Sequence, residues 1–156
     1  MYRILFVCHG NICRSPMAEF IMKSLVHKAG LDNEVYIESS ATSREEIGNG
    51  IYPPAARVLS RHDIGCAGHC ARQFTVEDYN TFDMVVVMEE YNKLNLTRLI
   101  GCDCKRKVWK MLDFVCDNPA PSIGADISDP WYHGDFDKTY GEIMAGCKAL
   151  MKYLGY

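Results

Sequence analysis

The first thirty residues have the pattern of a buried strand, a tight loop and a helix, and this pattern restricts the fold more than any other stretch. Tyr2 to Val7 is mostly apolar, as expected of a strand covered on both faces of a parallel sheet. From Ser15 to about Ala29, apolar residues recur at helical spacing, and Gly30 is predicted to end the helix. The sequence VCHGNICRSP connects these two elements. It predicts the first unit of a fold in which strands and helices alternate.

The rest of the chain continues this alternation. The continuously apolar run Met84 to Met88 predicts a strand in the middle of the sheet, and Leu94, Leu96 and Leu99 are candidate core residues of the helix that follows. Strands are predicted at 34–39, 83–88 and 107–112, helices at 55–61, 89–100 and 136–154, a helix start at 75–78, and loops at 40–54, 66–73 and 113–134. Residues 1–156 are therefore expected to form a single α/β domain with a parallel sheet.

The connecting loop has the features of an anion-binding site. Gly10 and Asn11 tolerate positive φ, so that successive backbone N–H groups can point inward and form a nest. The helix starting near Ser15 brings its positive end to the same place, and Pro16 suits its first turn. Arg14 adds a fork of donors that matches two phosphate oxygens. We interpret the loop as a phosphate-binding loop at the carboxyl end of the first strand.

Cys8 would lie at the base of this loop. The charge of Arg14, the helix end and the loop amides all favour its thiolate form, which is a nucleophile at neutral pH. In the alternative interpretation, Cys8 is an inert buried thiol and Arg14 a surface cation.

Composition excludes several other classes of protein. A net charge of −3 and a pI near 5.9 give no electrostatic basis for binding nucleic acid or an anionic membrane, and no apolar run has membrane-spanning length. Eight cysteines without a secretory leader favour a cytoplasmic protein whose thiols are mostly packing residues. Zinc binding by Cys66, His69, Cys70, Cys102 and Cys104 is an alternative, but their spacing forms no recognised pair of ligand knuckles. The expectation is no metal and no nucleotide cofactor, and the oligomeric state is left open.

A thiolate that attacks phosphorus needs a group to protonate the leaving oxygen, and Asp129 is the best candidate. Pro130 would stiffen the turn that presents its carboxyl group, while Trp131 and Tyr132 could form aromatic walls for a phenyl ring. Alternatively, Asp-Pro is only a turn and the aromatic residues cover the core.

These motifs resemble the low molecular weight protein tyrosine phosphatases. The resemblance rests on VCHGNICRSP, on Ala-Arg-Gln at 71–73 and on Asp-Pro-Trp-Tyr at 129–132, and it extends in order over essentially the whole chain. It implies a three-layer sandwich in which helices flank a four-stranded parallel sheet. It also implies hydrolysis of phosphotyrosine in proteins through a phosphocysteine intermediate.

The resemblance also implies roles for individual residues. Cys8 would be the nucleophile, Arg14 would hold the phosphoryl oxygens, Asp129 would be general acid and then base, and Ser15 would donate to the Cys8 sulfur. Asn11 would hold the loop in shape through Ser39 and His69. Predicted substrate contacts are the following: His9, Gly10, Asn11, Ile12, Cys13, Ser15, Trp131 and Tyr132. Cys13 could also form a reversible disulfide with Cys8, or only fill space under the loop. Glu45 on the cleft rim departs from the family pattern, so no peptide preference can be inferred.

Three other activities remain as alternatives. Arsenate reductases of this fold need a cysteine soon after the third strand, and none occurs here before Cys102. Arginine phosphatases carry threonine where this chain has Ile12, which favours phosphotyrosine. A phosphocysteine phosphocarrier would have no use for Asp129.

Overall fold

The structure, a computed structural model, describes all of residues 1–156. Strands and helices alternate along the chain, as the sequence predicts. The strands are β1 Tyr2–Cys8, β2 Val35–Ala41, β3 Met84–Val87 and β4 Val108–Lys110; the helices are α1 Arg14–Lys28, α2 Pro53–Arg61, α3 Val76–Thr81, α4 Glu90–Ile100, α5 Pro130–His133 and α6 Phe136–Tyr153. A 3₁₀ helix, Met111–Val115, follows β4 directly. No helix here is both long enough and apolar enough to cross a lipid bilayer.

The four strands form one parallel sheet in the order β2-β1-β3-β4. The two central strands are the most apolar segments of the chain, and Ile4 to Val7 of β1 and Val85 to Val87 of β3 are fully buried. Burial on both faces explains why these strands lack the alternation of half-exposed strands. The predicted four-stranded α/β architecture is confirmed.

The sheet separates two unequal cores. The larger contains 29 buried residues and lies on the side of α1, α2 and α6. The smaller contains 9 buried residues, contributed by the other face of the sheet together with α3 and α4. Helices therefore cover both faces, and all strands end at one edge, where the loop after β1 lies.

The predicted strand 107–112 and loop 113–134 are partly wrong. The strand ends at Lys110 because the buried carboxylate of Asp113 accepts hydrogen bonds from the backbone N–H groups of Lys110, Ser122 and Gly124, at 2.7–2.8 Å. These bonds turn the chain into the 3₁₀ helix and fix the loop after it. The far end of the loop forms the short helix α5, which the sequence analysis did not predict.

The predicted core face of α4 is also partly wrong. Leu96 is fully buried, but Leu94 and Leu99 are 49% and 38% exposed. Asn92 is buried in their place, since its side-chain oxygen accepts hydrogen bonds from the backbone N–H groups of Met88 and Glu89 at 3.1 Å. The helix is therefore oriented by the end of β3 as well as by apolar packing.

The prediction that most of the eight cysteines are packing residues is only partly right. Cys8, Cys13 and Cys147 are buried and Cys66 packs against the larger core, whereas Cys70 is exposed and Cys102 forms a disulfide with Cys104. That disulfide precedes β4 and so lies at the amino-terminal edge of the sheet, opposite the loop after β1. No three His, Cys, Asp or Glu side chains are grouped so that they could hold a metal ion.

Candidate active site

The loop between β1 and α1 curls around the sulfur of Cys8. Asn11 is the residue with positive φ, at 59°, whereas Gly10 does not adopt the positive φ that the sequence analysis expected. At Gly10 a β-carbon would lie 3.4 Å from Cγ of Glu46, so the side chain of Glu46 borders the loop there. The backbone N–H of Asn11 donates to Sγ of Cys8 at 3.3 Å. At least one loop amide is thus directed at the sulfur, as an anion-binding nest requires.

Cys8 is almost completely buried and lies beside a hydroxyl group. Its Sγ is 3.0 Å from Oγ of Ser15, and that hydroxyl also lies 3.3 Å from the carbonyl oxygen of Ser40. Asn11 Nδ2 donates to the same Oγ at 2.9 Å, so the only hydrogen of Ser15 is left for either the sulfur or the carbonyl. A thiolate at Cys8 attracts this hydrogen more strongly than a carbonyl does.

Arg14 is 1% exposed and is held by three acceptors. One guanidinium nitrogen donates to the carbonyl oxygen of Ile127 at 2.8 Å, and the other to Glu89 at 3.2 Å and Asp129 at 3.3 Å. Burial alone would lower the pKa of Arg14, but the negative charges of Cys8, Asp129 and Glu89 raise it overall. Arg14 is therefore a permanent cation at the base of the cleft.

Asp129 is the N-cap residue of α5. Its Oδ1 accepts a hydrogen bond from the backbone N–H of Trp131 at 3.0 Å, and its Oδ2 faces Arg14. The Asp-Pro sequence thus forms a helix start, with Pro130 in the first turn, where its missing N–H has no cost. The carboxyl group that the sequence singled out lies in the same cleft as Cys8.

Buried and half-buried side chains hold Asn11 from behind. Its Nδ2 donates to Ser39 Oγ at 2.9 Å, its carbonyl oxygen accepts from Nε2 of His69 at 2.7 Å, and its Oδ1 accepts from the backbone N–H of Arg72 at 3.1 Å. Ser39 in turn donates to the buried carboxylate of Glu19. The structure therefore brings Ser39 and His69 to the positions expected from the resemblance and adds Glu19 and Arg72 to them.

The cleft has a volume of about 410 Å³ and an aromatic rim. Trp131 is 52% and Tyr132 87% exposed, so neither covers the core, and Tyr91 lines the same cleft. The rings of Trp131 and Tyr52 pack with centroids 4.8 Å apart. The exposed aromatic surfaces leave a slot suited to a flat ring.

Of the other residues predicted to contact substrate, His9, Gly10, Ile12 and Cys13 line the cleft, whereas the side chains of Asn11 and Ser15 are fully buried and do not line it. Ile12 and Cys13 belong to this lining, and His9 forms a hydrogen bond with Glu45 on the rim, with 2.9 Å between Nε2 and the carboxylate oxygen. Burial, followed by the charge of Cys8, raises the pKa of Cys13 far above its ordinary value. Cys13 is therefore held as a neutral thiol.

The sequence analysis missed two acidic residues of the cleft. Glu89 and Glu46 both line it, and Glu89 contacts Arg14 directly. Glu89 could have been found, because it follows β3 at the edge of the sheet where the loop after β1 also lies. Glu46 comes from a long polar loop, and no pattern in that loop distinguishes it.

Comparison with known proteins agrees with this geometry. The profile of the family described as low molecular weight phosphotyrosine protein phosphatase matches residues 3–156. The chain belongs to this family. Its relatives are cysteine-based hydrolases, so the chain is a phosphatase of the low molecular weight class.

Relatives in the family are similar over nearly their full length. The low molecular weight protein-tyrosine-phosphatase YfkJ of Bacillus subtilis is 35% identical over 151 residues, which are 97% of this chain and 94% of YfkJ. The Gallus gallus low molecular weight phosphotyrosine protein phosphatase is 38% identical over 156 residues, which cover 96% of this chain and 93% of that relative. The crystal structure of YfkJ superposes with a TM-score of 0.92 over 99% of this chain and 95% of YfkJ. The crystal structure of SP-PTP of Streptococcus pyogenes, which is 35% identical, superposes with a TM-score of 0.85 over 99% of this chain and 93% of SP-PTP.

Proposed function

We propose that this phosphatase hydrolyses phosphotyrosine in proteins, and small aryl phosphates, through a phosphocysteine intermediate on Cys8. The observation that carries the proposal is the meeting of Cys8, Arg14 and Asp129 in one cleft with exposed aromatic walls. Residues 1–156 act as one catalytic domain, and no metal or cofactor takes part. Tyrosine-phosphorylated proteins are the substrates.

In the first step, the Cys8 thiolate attacks phosphorus and the bond between phosphorus and the phenolic oxygen breaks. Arg14 turns from Asp129 to the phosphoryl oxygens, and the loop amides donate to the same oxygens as charge develops there. Asp129, protonated at this stage, gives its proton to the leaving oxygen. The products of this step are free tyrosine hydroxyl and phosphocysteine.

In the second step, Asp129 is a carboxylate and acts as base. It takes a proton from a water molecule that attacks the phosphocysteine, the bond between sulfur and phosphorus breaks, and inorganic phosphate leaves. Ser15, whose Oγ is 3.0 Å from the sulfur, donates a hydrogen bond to the departing thiolate and keeps its proton. Cys8 and Asp129 return to their initial states, so the cycle needs only water.

The aromatic walls support an aryl substrate. A phenyl ring between Trp131, Tyr132 and Tyr91 gains apolar and edge-to-face contacts that a phosphoserine side chain is too short to make. Ile12, half-way along the loop, supplies no hydroxyl group for a guanidinium, which favours phosphotyrosine over phosphoarginine. We also place the protein in the cytoplasm, where the unpaired Cys8 and Cys13 stay reduced.

The decisive experiment measures turnover of phosphotyrosine, phosphoarginine and phosphoserine peptides, and reduction of arsenate, in a buffer that contains a metal chelator. We expect hydrolysis of phosphotyrosine alone. Cys8→Ser should abolish turnover, and Asp129→Ala should lower it by about 10²- to 10⁴-fold, the usual contribution of a general acid.

Two results would contradict the proposal. One is full activity of the Cys8→Ser variant. The other is faster turnover of phosphoarginine or arsenate than of phosphotyrosine, which would move the chain to another activity of the same fold.

A further inference from the structure

Lys110 is a buried cation that the mechanism above does not use. Its side chain is 8% exposed, at the end of β4, and its Nζ lies 3.1 Å from Oδ1 of Asp126 and 3.6 Å from Oε2 of Glu90. A buried lysine is rare in proteins unless it is paired. Burial lowers its pKa, but Asp126, Glu90 and Asp113 raise it overall, so the group stays charged.

Asp126 connects Lys110 to the segment that carries Asp129. The same Oδ1 that accepts from Lys110 also accepts from the backbone N–H of Glu90 at 3.1 Å. One residue further, the N–H of Ile127 donates to the carbonyl oxygen of Met88 at 2.9 Å, and the carbonyl oxygen of Ile127 accepts from Arg14. Asp126 and Ile127 thus attach the acid-bearing segment to the end of β3 and the start of α4.

Apart from Arg14 and Lys110, the charged side chains around this attachment are all acidic. Four acidic side chains lie along it. Arg14 contacts Glu89 and Asp129, and Lys110 contacts Glu90 and Asp126. Without Lys110, Asp126 would face Glu90 uncompensated. Asp126 and Glu90 are 47% and 59% exposed, so water weakens their repulsion, and the segment 126–129 would move only slightly away from α4.

We propose that Lys110, through Asp126, is a positioning residue for the general acid Asp129. The proposal rests on the function given above, in which Asp129 protonates the leaving oxygen. Lys110 touches neither substrate nor sulfur, and its effect is confined to where the segment 126–129 is held. A displacement of about 1 Å is enough to cost up to 10²-fold in a step that depends on alignment.

The test uses two substrates that differ in their need for the acid. Phosphotyrosine has a poor leaving group that needs a proton, whereas the nitrophenolate of p-nitrophenyl phosphate leaves readily without one. We expect Lys110→Met to lower kcat/KM for phosphotyrosine by about tenfold and kcat/KM for p-nitrophenyl phosphate much less. In an Asp126→Asn background, Lys110→Met should change the ratio little, because the charge that Lys110 compensates is gone, and Lys110→Arg should keep the wild-type ratio.

Controls separate positioning from loss of structure. The ratio of the two kcat/KM values is measured on one preparation, so it does not depend on the fraction of protein that is folded. Lys93→Met is a matched control, because Lys93 contacts Ser122 in the same loop but not Asp126. In an Asp129→Ala background, Lys110→Met should leave the ratio unchanged, since the group it positions is gone.

Equal losses on both substrates, or an unchanged ratio in Lys110→Met, would overturn the inference. A wild-type protein that fails to hydrolyse phosphotyrosine would instead overturn the proposed function itself. The two failures are therefore distinguishable from the wild-type measurement alone.

Discussion

At the scale of single residues, Cys8 and Cys13 show how position within one loop sets chemistry. Both are buried and both are free thiols. Cys8 has the N–H of Asn11 and the hydroxyl of Ser15 beside its sulfur, so a negative charge there is solvated by the protein. Cys13 has no such hydrogen bond, and burial raises its pKa. The two side chains are therefore not interchangeable as nucleophiles.

This difference predicts a pH dependence of oxidation. After peroxide converts Cys8 to its sulfenic acid, a disulfide forms when the Cys13 thiolate attacks that sulfur and hydroxide leaves. Because the pKa of Cys13 is raised, the thiolate is scarce at neutral pH, and we expect the rate of disulfide formation to rise about tenfold per pH unit between pH 6 and 9. Alkylation quench followed by intact mass measurement reports the rate, with Cys13→Ser as the control. A rate that is flat across this range would contradict the prediction.

The meeting of the residues to which we assign the chemistry could be predicted from the sequence, but several of their supports could not. Cys8, Arg14 and Asp129 are each a chemically specific residue type in a specific local pattern, and the structure places them in one cleft. Glu19 is an ordinary acidic residue of α1, and only the folded chain places it against Ser39; Glu46 lies in a long polar loop, and only the folded chain brings it to the cleft. The sequence allowed a positive φ at both Gly10 and Asn11, and only the structure shows that Asn11 takes it.

At the scale of elements, α4 shows the limit of reading a helix face from leucines. Leucines 94, 96 and 99 do not share one face of a helix, and the buried pair is Asn92 with Leu96, four residues apart. The polar member of the pair is buried because it caps the start of its own helix. Similarly, β4 ends early because of the hydrogen bonds of one carboxylate, Asp113. Patterns of apolar residues carry no information about such bonds.

Two leucines of α4 provide a matched test. Leu96→Ala should lower the free energy of unfolding by about 2–5 kcal/mol, since the side chain is fully buried and leaves a cavity. Leu94→Ala, on a half-exposed side chain of the same helix, should change it by less than about 0.5 kcal/mol. Denaturant unfolding of both variants measures the difference. Equal losses would mean that the face of α4 has been assigned incorrectly.

At the scale of the whole molecule, the fold was the most predictable property. Two central apolar strands and alternating helices allow few arrangements, and the four-stranded parallel sheet was confirmed with strand boundaries shifted by at most two residues. The division of the core into unequal parts was not predictable. This division depends on which helices pack on which face of the sheet, and the path of each connection between strands decides that.

The unequal cores predict unequal protection from hydrogen exchange. The face covered by α3 and α4 buries 9 core residues, against 29 on the other face, so less apolar surface is exposed when α4 opens than when α1 opens. We expect amides in the middle of α4 to exchange faster than those of α1 and α6 under native conditions. Exchange in α4 as slow as in α1 would contradict this.

Local opening of the smaller core, which α3 and α4 cover, has a consequence for the candidate active site. Glu89 is the N-cap of α4, so an excursion that frees the start of this helix also withdraws one carboxylate from Arg14. The loop around Cys8, in contrast, is built between β1 and α1 on the thicker core. We therefore expect Cys8 and its loop to lie in the slowly exchanging part of the protein, whereas Glu89, one of the carboxylates that hold Arg14, lies in the part that opens more readily.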